Sequence, residues 1–231
     1  MPAPVVIARR FRGPPESGNG GYSAGSLARA LDGVVEVTLR RPPPLDRALE
    51  VESRTTLRLL DGAELVAEAR PAMLELDVPT PPSFEEALRA SERYVGFRSH
   101  FFPGCFVCGP ERAPGDGLRI FPGRAEGSAF VAAPWIPDAS LAVDGRIPNE
   151  IVWASLDCPG YFGAAPEDVP PALLGRMTAE TRGTVAIGEE CVVIGWQIGV
   201  EGRKLHAGTA LFGSDGTLRG RAKQTWLLVT R

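Results

Sequence analysis

The chain has 231 residues, enough for one large domain or for two small ones that each bury a core. A hydrophobic share of 44% and a charged share of 23% exclude an intrinsically disordered chain, and a formal net charge of −3 without a polybasic tract argues against nucleic acid as a partner. No apolar run is long enough to span a bilayer or to form the core of a secretory signal. Four cysteines, of which only Cys105 and Cys108 lie close together, make no disulfide framework, so the expected setting is a reducing cytoplasm.

In chain order, Val5 to Phe11 reads as an opening strand, ended by Gly13-Pro14-Pro15. Asn19 is placed to cap a helix over about 20–31 whose residues are mostly glycine, serine and alanine. Such a helix has poor intrinsic propensity and must be held by packing, and its thin side chains let a sheet wrap closely around it. A strand follows over 34–39, and an extended stretch over 49–60 meets Asp61-Gly62, a hairpin signal. Residues 64–76 continue with alternation, placing Leu65, Ala67 and Ala69 on one face and Glu64, Glu68 and Arg70 on the other. Val78-Pro79-Thr80-Pro81-Pro82 cannot continue a sheet interior, and Ser83-Phe84-Glu85-Glu86 has capping-box spacing for a helix reaching about Tyr94. The division between two units is placed near residue 95, giving 1–95 with this linker helix and 96–231.

The second part supplies strands at 117–121 and 128–133, a helix over about 149–158, and strands at 177–185, 190–200, 204–212 and 217–229. Asp215-Gly216 marks another hairpin. With one residue of slip at that turn, Leu65, Ala67 and Ala69 correspond to Leu218, Gly220 and Ala222. Helix, strands, Asp-Gly turn and small-residue strand therefore occur twice.

Two segments carry a resemblance to a known superfamily. One is Cys105-Phe106-Val107-Cys108-Gly109-Pro110 followed by Gly117-Leu118-Arg119-Ile120-Phe121, and the other is Trp153-Ala154-Ser155-Leu156-Asp157-Cys158-Pro159-Gly160. With these the chain resembles hotdog-fold acyl-CoA thioesterases similar to phenylacetyl-CoA thioesterase. Its first half, through Gly20-Gly21-Tyr22 and Val35 to Pro43, is similar to the acyl-CoA thioesterase II branch. The resemblance implies an α+β double hotdog, two antiparallel sheets each wrapped around a long helix, paired within one chain. It further implies thioester hydrolysis, with coenzyme A as part of the substrate and no separate cofactor. The family's His-Gly-Gly at the helix start is Asn19-Gly20-Gly21 in one half and Pro148-Asn149-Glu150 in the other, so neither half matches fully.

By that resemblance Asp157 is the acid, serving as nucleophile or as general base for water, while Asn19, Gly20 and Gly21 form the helix start that polarises the carbonyl. Ala28 occupies the acid position in the first half and Glu150 replaces a glycine in the second, so one competent site per chain is expected. On an apolar helix that Pro159 should end or kink, burial and the negative helix end would both raise the Asp157 pKa. Capping of donors near Pro159-Gly160 is the structural alternative.

Asn149, Glu150 and Trp153 are candidate substrate contacts, against a first-turn charge and core packing as the plainer roles. Arg219, Arg221 and Lys223 share one strand face, where they would hold coenzyme A phosphates or simply meet solvent. Cys105 and Cys108 lack a second pair, and His100 and His206 lie at no ligand spacing, so no metal is expected. Three function classes fit: an acyl-CoA thioesterase, a non-catalytic acyl-CoA or lipid-binding protein, and a hotdog hydratase or dehydratase. The last usually needs an acid with a histidine, and neither histidine lies on a site helix. Two chains could also pair through sheet or helix faces.

Overall fold

The repeat read from the two Asp-Gly turns is built as two halves of one antiparallel sheet in the computed structural model, which describes residues 3–165 and 171–229. The first half contains β1 (Val5–Val6), α1 (Gly20–Ala28), β2 (Val35–Leu39), β3 (Ala48–Ser53), β4 (Leu57–Asp61) and β5 (Glu64–Pro71). After α2 (Phe84–Ser91) and β6 (Gly123–Arg124) come β7 (Phe130–Trp135), α3 (Asn149–Ser155), α4 (Asp157–Ala164), β8 (Ala172–Thr181), β9 (Cys191–Glu201), β10 (Lys204–Phe212) and β11 (Leu218–Leu228). The strand order is β1-β3-β4-β5-β2-β8-β11-β10-β9-β7-β6. Read outward from the β2–β8 joint, β5, β4, β3 and β1 on one side answer to β11, β10, β9 and β7 on the other. This is the double hotdog, its halves fused by antiparallel pairing of Val35 with Ala179 and Val37 with Met177.

The Asp-Gly turns sit at equivalent corners, β4 to β5 and β10 to β11, and Gly62 and Gly216 take φ of 59° and 73°, where a side chain would be strained. Ala67 and Ala69 of β5, like Ala222 of β11, are buried beneath the helices, as the alternation requires. Helix α1 packs on β2, β5 and β8, while α4 packs on β9 and β10.

Where the elements differ from expectation, a local cause is visible. The opening strand holds only Val5 and Val6 against β3, because Arg9–Phe11 turns into a 3-10 helix pinned by Asp46, which accepts the Arg9 backbone N–H at 2.8 Å. The stretch over 49–60 is two strands paired with each other. The strand after Asp61-Gly62 stops at Pro71, which lacks a donor. Residues 117–121 form no strand, since the Leu118 and Ile120 N–H groups go to the Phe106 and Val107 carbonyls at 2.8 and 2.9 Å instead of to the sheet. The Ser83 capping box is present, but α2 lies against β6, β7 and β9, so the linker helix assigned to residues 1–95 sits on the second half of the sheet.

The two halves meet most closely at their helices. Gly21 faces Asp157, Trp153 and Ala154, whereas Gly25 faces Trp153 and Glu150, so α1 and α3 run antiparallel. A Cβ at Gly25 would lie 2.7 Å from Trp153 Cβ and 2.8 Å from Glu150 Cα, which no real Cβ tolerates. Gly25→Ala should therefore destabilise the fold by about 1–3 kcal/mol, the usual range for overpacking a tight contact. Chemical denaturation checks this, and an unchanged midpoint and slope would refute the close approach.

Candidate active site

The helix expected over 149–158 is broken. Segment α3 closes at Ser155, Leu156 forms the joint, and α4 begins at Asp157, so Pro159 lies in a first turn and does not end the helix. At that position its missing donor removes only a bond to the Ser155 carbonyl. The Leu156 carbonyl, freed by the break, accepts the side-chain amide of Gln224 at 2.6 Å, and the amide oxygen of Gln224 accepts Trp226 Nε1 at 2.8 Å. Gln224 is buried and thus fixes both the break and the indole next to it.

The antiparallel helices deliver Asp157 to the start of α1. Asn19 Oδ1 accepts the Tyr22 N–H at 2.9 Å, which leaves its amide nitrogen to donate to Asp157 Oδ2 at 2.6 Å. Asp157 is 2% exposed, and its Oδ1 has no hydrogen-bond partner among the described residues. Burial pushes the carboxyl up from its ordinary 3.8 to about 7, against the lowering influence of the nearby Gly21 N–H and the Asn19 amide. The helix contribution is opposite to the one expected from sequence, because Asp157 opens α4 and a helix N-terminus favours the carboxylate.

Asp157, Asn19 and Gly20 line a cavity of about 180 Å³. A second cavity of about 680 Å³ adjoins it, and Phe102, Cys105, Cys158, Ala172 and Trp226 line both. The Gly20 N–H has no intrachain partner among the described residues, and a Cβ there would press on Leu174 at 2.8 Å. Gly21 does not line either cavity. Its missing side chain admits Asp157, whose Cβ a Gly21 Cβ would meet at 2.6 Å.

Other expected site residues lie elsewhere. Asn149 is exposed and Glu150 half-buried at the far end of α3, and Trp153 is a core residue against Gly25. On the outer face of the sheet, Arg219 pairs with Glu189 at 2.9 Å and Asp215 at 3.2 Å, and Arg221 pairs with Glu180 at 2.6 Å. They extend a series of cross-strand ion pairs that includes Arg70 with Glu36 and Arg40 with Glu68, while Lys223 meets solvent. The charges of Arg219 and Arg221 are thus already paired within the chain. Arg93, Arg98 and Arg124 instead line the larger cavity and form no ion pair among the described residues.

Three cysteines converge beside Asp157. Cys105 Sγ lies 3.8 Å from Cys158 Sγ, and Cys108 Sγ lies 3.3 Å from His100 Nε2. The Cys108 and Cys158 thiols, in that order, and then the backbone N–H groups of Cys108 and Val107 hold the Cys105 thiol well below its ordinary value. Spacing gave no sign of this meeting, since Cys158 and His100 are brought to the Cys105 loop only by the fold. The position of Cys158 directly after the candidate acid was the available signal.

The sequence matches no protein-family model and no curated protein. The structure is similar to the tesB protein of Mycobacterium avium subs paratuberculosis, with TM-score 0.60 and 16% identity over 92% of this chain and 88% of that one. It is similar to an acyl-CoA thioesterase II of Mycobacterium marinum, with TM-score 0.59 and 13% identity over 98% of this chain and 91% of that one. A hot dog fold protein of unknown function from Alicyclobacillus acidocaldarius gives TM-score 0.52 and 11% identity over 99% and 92%. At such identities the likeness establishes the shared fold, which is the hotdog fold of these proteins.

Replacing Gln224 with leucine strands the Leu156 carbonyl and the Trp226 N–H in the interior. An expected loss of about 1–3 kcal/mol for each buried group left unpaired should lower the thermal midpoint, as read by calorimetry. An unshifted midpoint would show that the helix break is held by other contacts.

Proposed function

We propose that the chain is an acyl-CoA thioesterase in which Asp157 activates water, or attacks directly, at the thioester carbonyl. The observation that carries this reading is a buried carboxylate with one oxygen oriented by Asn19 and the other unpaired, set inside a cavity at the open start of a helix. A carboxyl poised at about 7 can accept a proton from water near neutral pH. Hydroxide then adds to the carbonyl carbon, the coenzyme A thiolate leaves, and the free acid remains. The Gly20 N–H, unpaired and at the positive end of α1, suits the oxygen that gains charge in this step. Gly21 contributes by letting Asp157 approach rather than by lining the cavity.

The charge distribution supports an orientation for the substrate. Arg40 and Arg41 at the smaller cavity are already paired with Glu68 and Glu64. Arg93, Arg98 and Arg124 at the larger cavity are not so neutralised, which suits the phosphates of coenzyme A. The pantetheine arm would run along the larger cavity to the shared wall at Cys105 and Cys158, leaving the acyl group in the smaller one. Its volume of about 180 Å³ favours short or aromatic acyl groups.

Two measurements test the reading. Asp157→Asn keeps the volume and the Asn19 contact but removes the base, so hydrolysis over an acyl-CoA panel, followed by free-thiol release, should fall by about two to four orders of magnitude while acyl-CoA affinity changes little. Equal rates in the two proteins would exclude Asp157 as the base, and a wild type that binds the panel yet hydrolyses none of it is a binding protein. Separately, Arg98→Glu should raise KM for acyl-CoA with kcat largely kept, because phosphate contacts are made equally in the ground and transition states. A drop in kcat at unchanged KM would place the nucleotide elsewhere.

A further inference from the structure

Cys105, Cys108 and Cys158 come together from two distant parts of the chain, and their three sulfur atoms all lie within 4.8 Å of one another. We propose that they form a three-thiolate site for a soft divalent cation of the zinc class. The inference does not depend on the thioesterase reading. Tetrahedral zinc with zinc–sulfur distances of about 2.3 Å separates its sulfurs by about 3.8 Å, and the Cys105 to Cys158 separation is 3.8 Å. Neutral thiols are weak acceptors and give no reason for donors to converge on them. Here the Asn19 amide approaches Cys105 Sγ at 3.9 Å, and His100 Nε2 lies 3.3 Å from Cys108 Sγ. Cys158 lies in the first turn of α4, where helix N–H groups favour an anion. Adjacent thiolates in a buried setting repel one another unless a cation lies between them.

His100 supports the site from outside the ligand set. Its Nδ1 accepts the Phe102 N–H at 2.9 Å, so in the neutral ring the proton sits on Nε2, which lies 3.3 Å from Cys108 Sγ. That nitrogen donates to the sulfur and has no lone pair for a metal. The protein ligands are therefore three sulfurs, and all three line the larger cavity, leaving a fourth coordination position open on that side. The loop is shaped for the purpose: a Cβ at Gly109 would meet the Cys105 amide nitrogen at 2.6 Å, so glycine is required to fold Cys108 back toward Cys105. The missing second Cys-x-x-Cys pair, which argued against a metal in the sequence, is replaced by a single cysteine from α4.

Full-length protein, reduced and chelated under anaerobic conditions, should be titrated with cobalt(II) alone. The expected result is one equivalent bound, with intense sulfur-to-cobalt charge-transfer absorption and strong visible bands of tetrahedral character, both lost on adding zinc. Cys158→Ser, which leaves two sulfur ligands of three, should lower the charge-transfer intensity per bound cobalt by about a third and weaken binding, whereas Cys191→Ser, which alters a buried cysteine outside the cluster, should behave as wild type. His100→Phe should weaken cobalt affinity by about 10- to 100-fold while keeping the charge-transfer intensity per bound cobalt, because the number of sulfur ligands is unchanged. No charge-transfer band in wild type, or a band of undiminished intensity in Cys158→Ser, overturns the proposal. A Cys105–Cys158 disulfide in anaerobically purified protein would overturn it as well. Should Cys158→Ser fail to fold, the wild-type titration decides alone.

Discussion

Everything at the site depends on how closely α1 and α3 can approach. Each glycine in a helix costs roughly 1 kcal/mol relative to alanine, so α1 is a poor helix in isolation. The same glycines remove the atoms that would hold the two helices apart, since Gly21 and Gly25 leave room only for the Asp157, Trp153 and Glu150 backbones and Cβ atoms. Tertiary contact thus offsets what local propensity lacks. Because the helices are antiparallel and belong to opposite halves, that contact brings the start of one to the end of the other. A wider helix pair would separate Asn19 from Asp157, and neither residue would have its present environment.

The carboxylate is held in a compromise. Removing it from water disfavours its charge, while the Asn19 amide, the nearby Gly21 N–H and the start of α4 favour it. Desolvation wins, which moves the group toward neutrality near physiological pH without stripping it of orienting contacts. Had Pro159 ended a single long helix, Asp157 would face the negative end of a dipole and the imbalance would be greater. The break at Leu156 avoids this, and Gln224 makes the break tolerable by taking up the freed carbonyl.

Much of the architecture was readable because it rests on local signals: Asp-Gly turns, the alternation through Ala67 and Ala69, and the Ser83 capping box each have a short-range cause. Asp157 and the helix start at Asn19 were singled out by the family resemblance, and the antiparallel helices bring the two residues together. What escaped the sequence depends on distant chain segments meeting. Arg219 and Arg221 share a strand face as anticipated, yet whether a cation there is free depends on Glu189 from the loop before β9 and Glu180 from β8. The break at Leu156 needed Gln224, sixty-eight residues away, and the sulfur cluster needed Cys158 to reach the Cys105 loop.

The pseudo-twofold relation explains why a duplicated fold does not imply a duplicated site. The operation that carries Asp157 to the start of α1 also carries Ala28, at the end of α1, toward the start of α3 near Glu150. Ala28 offers no acid, and the exposed Asn149 with the half-buried Glu150 offers no enclosed donor set. Both cavities described above also adjoin the Asp157 end of the helix pair. The two helix ends have thus diverged into one that encloses polar groups and one that only packs. Glycine at positions 21 and 25 serves both ends as spacing, but only at position 21 does the space it leaves receive a carboxylate. The asymmetry therefore resides in a few side chains at the helix ends, while the sheet and helix frame remains common to both halves.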